Sequence, residues 1–183
     1  MPLASWQAGV TGLKPGMPRM TDEDLFAFLG TLGIPTRTHA HAPAFTVEQG
    51  NAVWAGIPGL HCKNLFFKDA KARLWLVVAP AERRVDLKAL PPLIGSARLS
   101  FGSAELLGQV LGVIPGAVTP FAVINDTERR VTVVLDRWMA AQPLLNFHPL
   151  RNDRTTTIAS ADLLTFLRAT GHQPDLAPLG EAP

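Results

Sequence analysis

The chain has 183 residues, 47% of them hydrophobic and 17% charged, a globular composition at a length that suits one domain with tails. With 17 basic and 15 acidic residues the net charge is +2, which gives no general case for nucleic-acid binding and leaves only a local basic patch. The single cysteine, Cys62, excludes an intrachain disulfide and a cysteine-based zinc site and suits a reducing cytoplasm; no apolar run is long enough to span a membrane.

The first twenty residues, "MPLASWQAGVTGLKPGMPRM", lack the basic start and apolar block of a secretory signal. Their glycines and prolines predict a flexible extension over 1–20, with Met20 as a candidate start. A domain is expected over 21–172 and a fraying Pro/Ala-rich tail over 173–183. "TDEDLFAFLGTLG" predicts a helix: Thr21 caps it with Asp24 three residues on, Leu25, Phe28, Leu29 and Leu32 share a face, and Gly33 stops it. "TRTHAH" predicts a short strand. "TVEQGNAVWAG" predicts a second helix with a Thr46/Gln49 capping box and a stop at Gly56.

"CKNLFFKD" and "RLWLVVAP" predict a hairpin turning at Ala70 to Ala72. "VDLKALPPLIG" predicts a short helix cut by Pro91 and Pro92. "SAELLGQVLG" predicts a helix from Ser103 to Gly112. "PFAVIND" and "RVTVVLD" predict paired strands turning at Asp126 to Arg129, and "LLNFHPL" and "TTTIA" two more. Ser160 is the expected cap of a last helix that buries Leu163, Leu164, Phe166 and Leu167 and stops at Gly171. Paired strands with helices between them predict an α/β (α+β) fold: a mixed, largely antiparallel sheet or partial barrel surrounded by helices.

Three polar sets interrupt these apolar surroundings. Alternation puts Lys63 on the face of Leu65 and Phe67. A lone lysine there commonly lays its stem on apolar surface and reaches water. The alternative is a point charge aimed into a cleft, meeting phosphate or carboxylate. Asn64 falls on the opposite face and joins such a site only if the strand bends. "GVIPGAVTP", Gly112 to Pro120, reads as a connecting loop, or as a stiffened loop whose main-chain N–H groups face an ester carbonyl. His148 shares a face with Asn146 and is either a structural strand-end residue or a general base. No nucleophilic triad and no metal-binding histidine spacing is present, and Cys62 reads as a buried small hydrophobe.

Together "HCKNLFFKD", "GAVTPFAVIND" and "NFHPLRNDRTTTIASADLLTFL" resemble the YbaK/ProX-type aminoacyl-tRNA editing family, whose fold also occurs as the insertion domain of prolyl-tRNA synthetases. The resemblance spans about Asp22 to Gly171 and is greatest to free-standing deacylases that clear alanine from tRNA for proline. It implies a Lys63 that anchors the terminal phosphates, followed by Asn64. It implies a loop, Gly116, Ala117, Val118, Thr119 and Pro120, facing the aminoacyl group, and a His148 that lines and limits the amino-acid pocket beside Asn146. No cofactor or metal is implied. The resemblance further implies that water attacks the ester with help from the neighbouring ribose hydroxyl.

The implied partners are tRNA and prolyl-tRNA synthetase, with no membrane, in the cytoplasm. Arg83, Arg84, Arg129, Arg130, Arg151 and Arg154 are the candidates for a basic rim. A proline pocket cannot exclude the smaller alanine, because one methylene is worth only about 1–3 kcal/mol, so a second sieve is needed. The competing readings are a deacylase for serine or cysteine, and a non-catalytic tRNA- or nucleotide-binding module of the same fold.

Overall fold

The structure is a computed structural model that describes residues 19–43, 54 and 56–180. The first helix, α1 (Asp22–Thr31), starts as its sequence dictates. Thr21 Oγ1 accepts the Asp24 N–H, and the Asp24 carboxylate accepts the Thr21 N–H at 2.9 Å. Leu25, Phe28 and Leu29 are buried on one stripe, and Gly33 leaves the helix at φ 67°. The expected second helix, Thr46 to Gly56, lies outside the described residues except for Trp54, which is helical, and Gly56.

Among the described residues eight strands form one sheet: β1 (Arg37–Ala40), β2 (Leu60–Asp69), β3 (Leu74–Pro80), β4 (Leu99–Phe101), β5 (Val131–Asp136), β6 (Leu144–Phe147), β7 (Arg154–Ala159) and β8 (Asp175–Ala177). Their order is β1-β7-β6-β2-β3-β5-β8, with β4 also on β2. The β2–β3 hairpin forms with Lys63 opposite Ala79 and Asn64 opposite Val78. Its turn is built around Asp69, whose buried carboxylate accepts N–H groups from Lys71, Arg73 and Ala97 and the Trp75 indole. Four ladders are antiparallel, while β2–β6, β3–β5 and β5–β8 are parallel, so the sheet is mixed.

Both faces of the centre are covered, so all seven residues of β3 are buried. One face carries the main core, where Phe66, Leu76 and Val78 meet α1, α3 (Ala104–Leu111) and α5 (Ser160–Ala169). The other carries a smaller cluster of Phe67, Trp75, Val77, Ala79, Leu90, Ala177 and Leu179. Alternation along β2 and β3 therefore sends successive side chains into two different cores.

Five local expectations change. Pro120–Asn125 is a 3-10 helix, η1, not a strand. Thr119 caps it, Pro120 opens it, and all six residues are buried, so no exposed face marks a period. Pro91 and Pro92 open α2 (Leu90–Ile94) instead of cutting it, because first-turn N–H groups have no helical partner. Ser160 is the first residue of α5; Ala159 holds the cap position without a side-chain bond. Leu164 is only half-buried, at the margin of the main core. Residues 175–177 do not fray: β8 pairs with β5 in parallel, and Ala177 and Leu179 are buried.

Candidate active site

The site follows from how β2 is shared. On one edge β2 pairs with β3 from Cys62 to Lys68. On its other edge β6 takes only Leu60 and His61, and β4 takes Phe67 to Asp69. Between these two ladders, Cys62 to Leu65 have no strand on the outer side among the described residues. At this fork a narrow, open-mouthed hollow, with enclosed room for about one water, is lined by Trp54, His61, Cys62, Asn64, Asn146, Phe147, His148 and Thr155.

The Gly112 to Pro120 loop meets this stretch of β2 through Asn64. Gly116 sits at φ 89°, where a β-carbon would be strained, and the turn is closed by the Ala117 N–H on the Ile114 carbonyl at 3.0 Å. Ala117, Thr119 and Pro120 are buried, and Thr119 Oγ1 accepts the Phe121 N–H as the cap of η1. Only Gly116 and Val118 of the five candidate residues remain half-open. The Asn64 side-chain amide donates to the Val118 carbonyl at 2.9 Å, tying the loop to β2. The other end of that amide, Oδ1, is buried and has no protein partner. It is an acceptor aimed at the site with its hydrogen bond unmade.

Asn146 is buried and committed at both ends. Its amide donates to the Pro58 carbonyl at 3.0 Å, and its Oδ1 accepts the Thr157 hydroxyl at 2.6 Å. Gly59 allows this approach: at φ 103°, an added β-carbon would stand 3.1 Å from the Asn146 amide nitrogen. Asn146 therefore shapes the floor and has little left to offer a ligand.

His148 lies just beyond β6, where Pro149 ends the strand. Its Nδ1 is 2.8 Å from the Arg154 carbonyl, which can only accept, so Nδ1 carries the proton and a neutral ring keeps Nε2 as an acceptor. Burial, and less strongly the neighbouring His41, push its pKa down, partly offset by the Arg154 carbonyl. His61 is shifted in the same direction, first by burial, and its ring stacks on Trp54 at 4.6 Å. His41 stands 6.0 Å from His148 and accepts the Thr155 hydroxyl at Nε2, 2.9 Å away. The Cys62 thiol is pushed up by burial, which keeps it protonated and disfavours it as a nucleophile.

Lys63 is placed differently. It does not line the hollow. It shares the face of Leu65 and Phe67, and its ammonium donates to the main-chain carbonyl of Arg83. Burial lowers its pKa. Asn64, a candidate substrate-binding residue on the face opposite Lys63, donates to the glycine-proline loop at Val118. Of the six rim arginines, Arg83 is buried against Asp136, while Arg151 and Arg154 are paired with Asp153 and Asp22; Arg84, Arg129 and Arg130 are exposed.

Sequence reasoning missed Trp54, His61 and Thr155 as wall residues, and His41 beside His148 and Thr155. The parity that puts His39 and His41 on one strand face was a usable signal for His41. The stacking of Trp54 on His61 left none, because it joins segments outside any common period.

A family model described as the aminoacyl-tRNA editing domain matches residues 41–166. The chain is 39% identical over 154 residues to prolyl-tRNA synthetase associated domain-containing protein 1 of Danio rerio, covering 83% of this chain and 84% of that protein. It is 37% identical over 133 residues to the prolyl-tRNA editing protein ProX of Acetoanaerobium sticklandii, covering 72% of this chain and 81% of that one. A solved structure provisionally described as a trans-editing enzyme for prolyl tRNA synthetase shares the fold, with a TM-score of 0.66 at 19% identity over 92% of this chain and all (100%) of that one.

Proposed function

The chain belongs to the aminoacyl-tRNA editing domain family, and on that premise we propose that it is a free-standing deacylase that hydrolyses the ester of alanine mischarged onto tRNA for proline. The observation that carries this reading is the hollow at the fork of β2 and β6. It is small, walled by His148 and the Trp54–His61 stack, and its wall residue Asn64 is tied to the Val118 carbonyl of a loop whose Gly116 and Val118 main-chain N–H groups are candidates to meet the ester. A short acyl group fits such a space more readily than a long one.

The open edge of β2 reconciles the two faces. A tRNA end lying across Cys62 to Leu65 meets Asn64 and the hollow on one side and the Lys63 ammonium on the other. The acyl group enters the hollow, and a terminal phosphate meets Lys63. Water adds to the ester carbonyl, the loop N–H groups stabilise the oxyanion, and the bond to the ribose oxygen breaks, releasing alanine and free tRNA. The ribose hydroxyl next to the ester assists the water, which suits a site whose one thiol is buried and protonated. Neutral His148 accepts at Nε2 and orients either the acyl ammonium or the water. Prolyl-tRNA synthetase is the source of the mischarged substrate and a natural partner.

The test compares alanyl, seryl, cysteinyl and prolyl esters on one proline tRNA, and alanyl ester on the same tRNA ending in 2′-deoxyadenosine. Alanyl ester should be cleaved fastest, prolyl ester spared, and the deoxy substrate slowed. Faster loss of seryl or cysteinyl ester would reassign the substrate. No acceleration over buffer with retained tRNA binding would leave a binding module.

A further inference from the structure

We propose that the buried Arg83–Asp136 ion pair, locked by the segment from Ala177 to Gly180, is a positioning device for Lys63. The inference rests on the reading of Lys63 as the residue that anchors the substrate phosphate.

A lysine on a strand edge has a long stem with many rotamers, and its head is aimed only if something holds it. Here the holder is the Arg83 carbonyl, twenty residues away. That carbonyl lies just past the end of β3. The ladder continues through the Ala81 N–H on the His61 carbonyl at 2.9 Å, and the chain then turns with the Arg83 N–H on the Pro80 carbonyl at 3.1 Å. A loop root of this kind keeps its position only if its side chain is anchored.

Arg83 is anchored through one guanidinium nitrogen, while its other terminal nitrogen, Nη2, is buried with no protein partner among the described residues. Its Nη1 donates to Asp136 Oδ2 at 2.6 Å and to the Gly180 carbonyl at 3.3 Å, and its guanidinium lies 5.5 Å from the Trp138 ring centre. The Arg83 side chain is 7% exposed and that of Asp136 is 0% exposed. Asp136 is itself fully committed: Oδ1 caps the short helix α4 (Arg137–Ala140) through the Met139 N–H at 2.8 Å, and Oδ2 also accepts the Leu179 N–H at 3.2 Å. Arg83 is therefore held between the end of β5 and the residues that follow β8.

Buried ion pairs add little net stability over an apolar pair of the same shape, so what this one supplies is geometry. It sets where the Arg83 carbonyl stands, and the carbonyl sets where the ammonium stands. Residues 177–180 lie beyond the segment, 41–166, that the family model matches. They act through Arg83 without touching substrate.

The test uses the full chain with Asp136→Asn, which preserves size and the Oδ1 cap, and Arg83→Gln as a second variant, both checked by thermal melting. After reductive 13C-methylation, the Lys63 signal is identified by its loss in Lys63→Arg and titrated by NMR. In wild type its midpoint should lie below that of the exposed lysines; in either folded variant it should move up towards them. In deacylation, Asp136→Asn should raise KM about tenfold with kcat nearly unchanged, and should add less than about twofold in a Lys63→Ala background. An unmoved Lys63 titration in a folded variant, or losses that add fully in the Lys63→Ala background, would overturn the proposal. The NMR titration needs no substrate, so absence of deacylation would count against the proposed function and not against the positioning role.

Discussion

Replacing Asn64 with alanine separates the site's chemistry from its scaffold. The change removes one hydrogen bond to the fold, from the side-chain amide to the Val118 carbonyl at 2.9 Å. Such a bond contributes about 0.5–1.5 kcal/mol net. The same change removes a buried acceptor, Oδ1, that has no protein partner, and that removal offsets part of the loss. Global stability should therefore fall by only about 0.5–1 kcal/mol. Activity should fall much further, because Val118 is the point where the loop bearing Gly116 is tied to β2. A reacting group displaced by about 1 Å costs on the order of 100-fold, equivalent to roughly 2.7 kcal/mol of transition-state stabilisation.

The assay pairs urea unfolding with kcat/KM on alanyl-tRNA for proline. Asn64→Asp should be worse than alanine at similar volume, because a carboxylate would face the Val118 carbonyl with no proton to share. If Asn64→Ala left kcat/KM within about threefold of wild type, or lost activity only in proportion to stability, the tie between strand and loop would not be what organises this site.

Acid should disable the site through His148, whose pKa is lowered mainly by burial and further by His41. Protonation removes the Nε2 acceptor, so kcat/KM should fall as pH drops below the ordinary histidine value of about 6.5, and His148→Gln should flatten that limb. The unfolded chain binds this proton more readily than the fold, so stability should be full above about pH 6.5 and decline as pH falls through the lowered value; His61→Asn controls for the second histidine shifted the same way. Asp126→Ala should cost about 1–3 kcal/mol in urea unfolding, since it leaves the buried His172 Nε2, 3.1 Å away, without its acceptor and frees the Arg130 and Val131 N–H groups. Iodoacetamide should leave Cys62 unmodified in the native protein and modify it in urea, as burial and a raised pKa require.

The readable parts of the fold were those where one local rule decided the outcome. The Thr21–Asp24 capping box needs four consecutive residues, and the β2–β3 hairpin needs two apolar runs and a turn; both formed as read. Pro120 to Asn125 failed because a segment buried on all sides has no polar face, and strand and 3-10 helix then look alike in sequence. Asp175 to Ala177 failed because a three-residue strand is made by its neighbour: β5 offered an open parallel edge, and Leu179 had the smaller core to enter.

The site shows the same division at finer scale. The alternation that put Lys63 with Leu65 and Phe67 was right, and from it followed the idea that this face is the cleft. What sequence could not supply is that β2 has a core on each face, so the face of a residue does not tell which side meets the ligand. The deciding feature is a stretch of edge with no pairing among the described residues, set by how far β6 reaches and where β4 begins. Both limits come from distant segments: β6 ending at Phe147, two residues before Pro149, and Gly102 bringing β4 against the Phe66 ring, where an added β-carbon would stand 2.4 Å away. In the proposed reading, neighbouring residues on opposite faces serve one substrate, an extended RNA end that would cross the strand edge-on and reach both.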